Sequence, residues 1–173
     1  LIVHLADVAA VHSYCEMNDV ADRLAAAFWP GALTLVLPLR ADAGISKLVT
    51  AGLSTLAVRV PDHALAQSLL AAFAGPVAAP SANPSGRISP TTAAHVIAGL
   101  SEKIDAIVDG GTCTVGVEST IVDCSGAVPV IFPAWLDYSP AERRSLARAV
   151  VRQWSDSENG GERPVLRISL PDG

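Results

Sequence analysis

The chain has 173 residues, half of them hydrophobic, with 13 glycines and 12 prolines, which suits one globular domain with many turns rather than a disordered chain. Its formal net charge of −5 argues against a broad nucleic-acid-binding face, although it leaves room for a local basic cleft. No apolar run approaches the roughly 18 residues that cross a bilayer, and no charged-then-apolar leader is visible. The three cysteines lack a CxxC spacing and the four histidines lack an HxxxH spacing, so we expect reduced thiols, a cytoplasmic location and no dedicated zinc site.

The first half of the chain predicts strands separated by helices. Asn18 or Asp19 can cap a helix that Pro30 and Gly31 end, and a second, short helix is closed by Gly52. β-Branched and apolar runs predict strands over residues 1–5, 33–39 and 55–61.

The second half begins with a predicted helix that is capped by Asp62. Its apolar residues recur at helical spacing: Leu65, Leu69, Leu70 and Phe73. Ser89 and Pro90 form a cap and first-turn pair that opens another helix, which continues to about Leu100. Further strands are predicted over residues 76–82, 106–111, 119–125 and 128–132.

The character of the sequence changes near residue 135. Ser139 opens a capping-box helix that runs to about Trp154, and a polar linker then leads to a last predicted strand over 165–170. We therefore expect a domain over residues 1–135, followed by a helix, linker and tail over 136–173. Strands and helices that mix without strict alternation indicate an α/β (α+β) fold with a mixed sheet.

The stretch VAAPSANPSGRISPTTAAHV, residues 77–96, carries an unusual density of hydroxyl, amide and glycine residues. It lies between a predicted buried strand and the N-terminus of a predicted helix, where free backbone N–H groups favour anions. Neutral donors such as Ser81, Asn83 and Thr91 could bind phosphate or ribose there. A binding loop and an ordinary turn both remain open on the residues alone.

Three other positions could contribute to the same pocket. Arg59 interrupts an apolar strand, where it is either an edge residue facing water or a fixed fork for a carboxylate or phosphate. His4 is the only polar residue of LIVHL, and a lone strand histidine is more often structural than catalytic. The glycine-rich stretch before Glu118, Ser119 and Thr120 is either a solvated hairpin or a second wall of the pocket.

Taken in order and spacing, several segments resemble the YrdC family of threonylcarbamoyl-AMP synthases. These segments are LIVHL, FWPGALTLVLP, TLAVRVPDH, AAPSANPSGRISPTTAAHV and IVDGGTCTVGVESTIVD. The resemblance covers about residues 1–132, and its PSANxSGxxSPT and GxEST elements are specific. It implies a twisted mixed sheet flanked by helices around a large concave cavity.

The resemblance also implies a reaction and its binding residues. L-Threonine and bicarbonate give a carbamate that attacks the α-phosphate of ATP, with Mg²⁺ accompanying the nucleotide, to make threonylcarbamoyl-AMP and pyrophosphate for tRNA modification. His4, Arg59, Ser81 and Ser119 resemble the family's threonine contacts. Thr55, Asn83 and Thr91 resemble its nucleotide contacts. The same resemblance allows contact with RNA and implies downstream tRNA-modifying proteins as partners.

Two departures from the family pattern qualify this reading. The KxR-type basic pair before PLIVH is absent, so the opening LIVHL suggests a fragment, and VIFPAWL stands where an LRPG-like arginine often occurs. We therefore expect weak ATP binding and poor turnover from residues 1–173. The alternatives are a YrdC module of a hydrogenase-maturation carbamoyltransferase and a degenerate, non-catalytic nucleotide- or RNA-binding domain.

Overall fold

The structure is a computed structural model and describes residues 1–84, 87–113 and 120–132. The strands in this part of the chain are β1 (Ile2–His4), β2 (Leu33–Pro38), β3 (Thr55–Arg59), β4 (Val77–Ala78), β5 (Thr120–Asp123) and β6 (Val130–Phe132). The helices are α1 (Val8–Tyr14), α2 (Asp19–Phe28), α3 (Lys47–Thr50), α4 (Ala64–Phe73) and α5 (Ala93–Leu100). None of these helices is long and apolar enough to cross a membrane.

The strands form one mixed sheet in the order β4-β1-β3-β2-β5-β6. The pairs β1–β3 and β2–β5 are parallel, whereas β1–β4, β2–β3 and β5–β6 are antiparallel. The predicted α/β fold with a mixed sheet is therefore confirmed.

One face of the sheet packs against α1 and α2. Side chains alternate between faces along a strand, and Val3, Leu35 and Val58 point to the same side with at most 1% of their surface exposed. Val11 of α1 and Leu24 of α2 belong to the same buried cluster. Burial of these apolar side chains is the main contribution to the stability of the sheet.

The opposite side of the sheet, which we call the second face, carries the alternate residues. In β3, the half-buried Thr55, Ala57 and Arg59 alternate with the buried Leu56 and Val58. The register pairs His4 with Arg59 across β1 and β3, so polar side chains gather at one end of this face.

Helix α1 is missing from the sequence prediction. Asp7 caps it by accepting a hydrogen bond from the backbone N–H of Ala10, at 2.7 Å between Oδ1 and N. The helix has seven residues and buries only Val11, so it is too short to show a helical period in the sequence.

Two predicted helix caps are displaced. His63, not Asp62, caps α4, because the helix begins one residue later than predicted. Thr92, not Ser89, caps α5, since its hydroxyl accepts a hydrogen bond from the backbone N–H of His95. The predicted cap of α2 at Asn18 is confirmed, whereas β1, β3, β5 and β6 are each shorter than predicted.

The strand predicted over residues 106–111 is wrong, and the one over 76–82 is shorter than expected. Asp109 Oδ1 accepts from the Gly111 N–H at 2.9 Å, and Gly111 has a φ of 88°, so a turn replaces the strand. In β4 the pairing stops before Pro80, which has no N–H to donate. The helix predicted from Ser139 and the strand over 165–170 lie outside the described residues.

Candidate functional site

His4 and Arg59 form the centre of the candidate site. They are direct partners in the parallel register of β1 and β3, so their side chains leave the sheet on the same face. Both residues are half-buried. The two residues are more than 50 positions apart in the sequence, and the pairing of β1 with β3 places them side by side.

The guanidinium of Arg59 is fixed along one edge. Its Nε donates to the carbonyl oxygen of Gly31 at 2.8 Å, and burial lowers its pKa. The ion pairs found among the described residues join His12 to Asp22 and Arg40 to Asp42, so no described carboxylate neutralises Arg59. A half-buried cation in this state favours binding of an anionic ligand.

The surroundings of His4 favour the neutral form of its imidazole. Burial is the larger cause of its lowered pKa, the positive charge of Arg59 adds to it, and the Ile2 backbone opposes the shift. Nδ1 is buried and has no hydrogen-bond partner in the part of the chain that the structure describes. A neutral histidine with an unsatisfied ring nitrogen can accept from, or donate to, a polar group of a ligand.

Strand β4 connects this pair to the polar loop. Val77 pairs with His4, and Ala79 N–H donates to the carbonyl of Ile2 at 3.0 Å. Ser81 follows two residues later and is exposed. Because β4 runs antiparallel to β1, the polar loop leaves the sheet beside Ile2, at the opposite end of β1 from His4.

Asn83 organises the turn that follows. Its Nδ2 donates to the carbonyls of Pro84 and Arg87, at 3.0 and 2.9 Å. Its Oδ1 is buried without a partner among the described residues, so the side chain braces the turn and leaves an acceptor unsatisfied.

Thr91 and Thr55 occupy the other predicted nucleotide positions. Thr91 lies just before α5, and its N–H and hydroxyl both approach Nδ1 of His95 at 3.4 Å. Its carbonyl accepts from Cys113 N–H at 2.9 Å, which ties the 101–113 connection to this loop. Thr55 is on the same face as Arg59, but four residues along an extended strand separate them by about 13 Å.

The family model Sua5/yciO/yrdC, described as "Telomere recombination", matches residues 1–132. This chain belongs to the Sua5/YciO/YrdC family. A threonylcarbamoyl-AMP synthase from Bacillus subtilis is 49% identical over 132 residues, which are 76% of this chain and 38% of that protein. One from Schizosaccharomyces pombe is 51% identical over 106 residues, or 60% of this chain and 26% of that protein.

Solved structures of the family agree with the fold. Pyrococcus abyssi Sua5 complexed with L-threonine has a TM-score of 0.72 and 44% identity, and the match covers 76% of this chain and 38% of that one. Escherichia coli YciO, at 24% identity and a TM-score of 0.68, supports the fold alone. The chain spans well under half the length of the first curated relatives that it matches.

The family's GxEST element lies mostly outside the described residues, as does the predicted threonine contact Ser119. Thr120, its last residue, begins β5, and its N–H donates to the carbonyl of Ala32 at 3.0 Å. Ala32 follows Gly31, whose carbonyl holds Arg59, so the end of this element lies close to the Arg59 anchor. The role of Ser119 stays a prediction.

Two residues at the site were missed at the sequence level. In the sequence, Gly31 indicates only the end of a helix, although it lies within the FWPGAL segment of the family resemblance. His95 lies in the polar segment 77–96, where the sequence assigns it no role; the structure places its Nδ1 3.4 Å from the hydroxyl of Thr91.

Other chemically interesting features lie away from this pair. A cavity of about 360 Å³ is lined by Asn18, Cys124 and Pro129 among others, and none of the predicted site residues lines it. Burial, with a smaller effect from Asp123, raises the pKa of the Cys124 thiol to about 12, so this thiol is not a nucleophile near neutral pH. The described residues contain no group of three or more His, Cys, Asp or Glu side chains that could hold a metal.

Proposed function

We propose that this chain is the substrate-binding part of an L-threonylcarbamoyladenylate synthase, a nucleotidyltransferase. The reaction joins L-threonine, bicarbonate and ATP to give threonylcarbamoyl-AMP and pyrophosphate. The names of the relatives and the threonine complex of P. abyssi Sua5 support this proposal. Within this chain, the observation that carries it is the His4–Arg59 pair on one face of the sheet.

On the threonine side, Arg59 would bind the carboxylate. Arginine presents a planar fork that matches a carboxylate, and a half-buried, uncompensated guanidinium is stabilised when an anion arrives. Neutral His4 lies next to it and would bind an uncharged polar group of the same ligand. Ser81, after β4, and Ser119 would complete the threonine contacts.

On the nucleotide side, neutral residues would position ATP. Asn83 offers its unsatisfied Oδ1 from a braced turn, Thr91 lies before the N-terminus of α5, and Thr55 begins β3. Mg²⁺ would arrive with the nucleotide and neutralise phosphate charge.

The chemistry requires positioning rather than a protein nucleophile. The carbamate oxygen of N-carboxythreonine attacks the α-phosphorus, the bond to the β-phosphate oxygen breaks, and pyrophosphate leaves with that electron pair. Fixed donors that hold the two substrates in line would supply most of the effect. We further propose a cytoplasmic location, transfer of the product to tRNA-modifying proteins, and contact with RNA.

The test is pyrophosphate release from ATP with each substrate omitted in turn. We expect release only when threonine and bicarbonate are both present, and we expect calorimetry to detect threonine binding that L-valine, which lacks the hydroxyl, does not match. Equal release without threonine would reject the proposal, and release that instead requires an added carbamoyl donor would favour the hydrogenase-maturation type of carbamoyl adenylation. Nucleotide binding without any release under all conditions would favour a non-catalytic binder.

A further inference from the structure

We propose that Gly31 is a positioning residue for Arg59. Its carbonyl occupies Nε and leaves the terminal edge of the guanidinium, formed by Nη1 and Nη2, to bind the ligand carboxylate, an arrangement that we call end-on binding. This inference rests on the proposed threonine site and adds to it a residue outside the predicted contacts. It begins with the 2.8 Å hydrogen bond from Nε of Arg59 to the carbonyl oxygen of Gly31.

The Gly31 peptide is itself held on both sides. Its N–H donates to the carbonyl of Val60 at 2.8 Å, so the residue bridges the end of β3 through the backbone. Nearby, the indole Nε1 of Trp29 donates to the carbonyl of Leu33 at 2.7 Å and closes the same turn. The carbonyl that receives Arg59 is therefore fixed by the chain on either side of it.

Space, rather than an unusual φ, requires glycine here. A Cβ built on Gly31 would collide with the backbone carbonyl oxygen of Phe28, and backbone atoms cannot move aside as a flexible side chain can. Gly31 is not among the described glycines with a positive φ, so conformational freedom does not explain it. Any larger residue must shift the turn, and with it the carbonyl that holds Arg59.

The direction of this hydrogen bond decides how Arg59 can bind an anion. A guanidinium has two edges that accept a carboxylate with two parallel bonds: the side edge, which includes Nε, and the terminal edge, formed by Nη1 and Nη2. Gly31 occupies Nε, which closes the side edge. The terminal edge remains for the ligand, next to the neutral His4 that pairs with Arg59 across β1 and β3.

The first experiment observes this contact directly in the isotopically labelled chain by NMR. We expect a scalar coupling through the hydrogen bond between Arg59 Nε and the Gly31 carbonyl carbon, and its absence would overturn the proposal. On titration with L-threonine, or with acetate as a simpler carboxylate, the coupling should persist while the Nη resonances shift. Loss of the coupling when the carboxylate binds would show side-on binding and would also overturn it.

The second experiment compares Gly31→Ala with Gly126→Ala as a matched control. A Cβ at Gly126 meets nothing closer than the Val128 carbonyl at 3.9 Å, so this control should behave like the unmodified chain. We expect Gly31→Ala to weaken threonine binding about tenfold or more and to leave ATP binding within about twofold, since one hydrogen bond to a charged group is lost. Unchanged threonine affinity in a folded Gly31→Ala chain would refute the positioning role.

The outcomes separate this inference from the proposed function. If neither threonine nor acetate shifts any Arg59 resonance, the threonine site is rejected and end-on binding is rejected with it. If acetate binds end-on at Arg59 and threonine does not bind, the positioning role of Gly31 stands and the assignment of threonine fails. If Gly31→Ala does not fold, the coupling in the unmodified chain still decides the question.

Discussion

Replacement of Arg59 by methionine separates a binding role from a structural one. The substitution removes the hydrogen bond to Gly31, and a hydrogen bond to a charged group contributes about 1.5–3 kcal/mol. It also removes a half-buried cation with no carboxylate partner among the described residues, whose desolvation costs several kcal/mol. Because the two terms have similar size and opposite sign, the free energy of unfolding should change by less than about 2 kcal/mol.

Threonine binding should respond quite differently to the same change. Truncating one partner of a desolvated charge pair costs about 2–5 kcal/mol of affinity, or about 30-fold to several thousandfold in the dissociation constant. Calorimetry measures the affinity, and denaturant unfolding measures the stability of the same samples. Arg40→Met is the matched control, because the Arg40 side chain forms an exposed ion pair with Asp42 and its backbone hydrogen bonds are unaffected by the substitution.

The result that refutes the reasoning is the reverse pattern. A loss of more than about 3 kcal/mol of stability with threonine binding retained would make Arg59 a structural arginine whose main role is the hydrogen bond to Gly31. Equal losses of threonine and ATP affinity would contradict the assignment of Arg59 to the threonine side. An equal loss in Arg40→Met would show that overall charge, not the site, controls binding.

Three further predictions follow from buried groups. The pKa of His4 is lowered below its usual 6.5, so the unfolded chain binds the proton more tightly than the folded chain does. The free energy of unfolding should therefore fall as the pH drops from about 6.5 through that lowered pKa. His4→Asn should flatten this dependence in melting curves recorded at several pH values. Leu35 is fully buried in the middle of the sheet, so Leu35→Ala should lower the free energy of unfolding by about 2–5 kcal/mol in urea. A thiol reagent near pH 8 should label the exposed Cys113 quickly and leave Cys15 and Cys124 unlabelled until the chain unfolds, since burial raises the pKa of both buried thiols to about 12. Rapid labelling of all three cysteines would contradict the described core.

Much of the fold could be predicted because the core strands have strong local signals. Strands β1, β2 and β3 are β-branched or leucine-rich runs between clear turn formers, and the cap of α2 at Asn18 is a side chain that the sequence displays directly. The prediction failed where local signals compete. Residues 106–111 have the composition of a strand, but Asp109 and Gly111 form a turn that takes the backbone out of the sheet.

The candidate site could be predicted only as separate parts. His4, Arg59 and Asn83 were each unusual for their surroundings, and the family resemblance assigned them roles. Their arrangement depends on the register of β1 against β3 and on the pairing of β4 with β1, which no local pattern specifies. The sequence therefore singles out His4 and Arg59 as candidates, and the structure shows that they are neighbours.

The case of Gly31 shows why one contact of the site was invisible in the sequence. An arginine inside an apolar strand indicates that its side chain needs a hydrogen-bond partner. The partner here is a backbone carbonyl 28 residues away in the sequence, and every residue has such a carbonyl, so the sequence cannot show which one is used. The sequence could display only the absence of a side chain at Gly31, which a helix terminator explains equally well. Gly31 cannot accept a Cβ, and Arg59 is held at Nε. The link between these two observations is visible only in the folded structure, where the Gly31 carbonyl accepts the Arg59 hydrogen bond. That arrangement predicts the direction from which a carboxylate must approach Arg59, which the residue types alone do not supply.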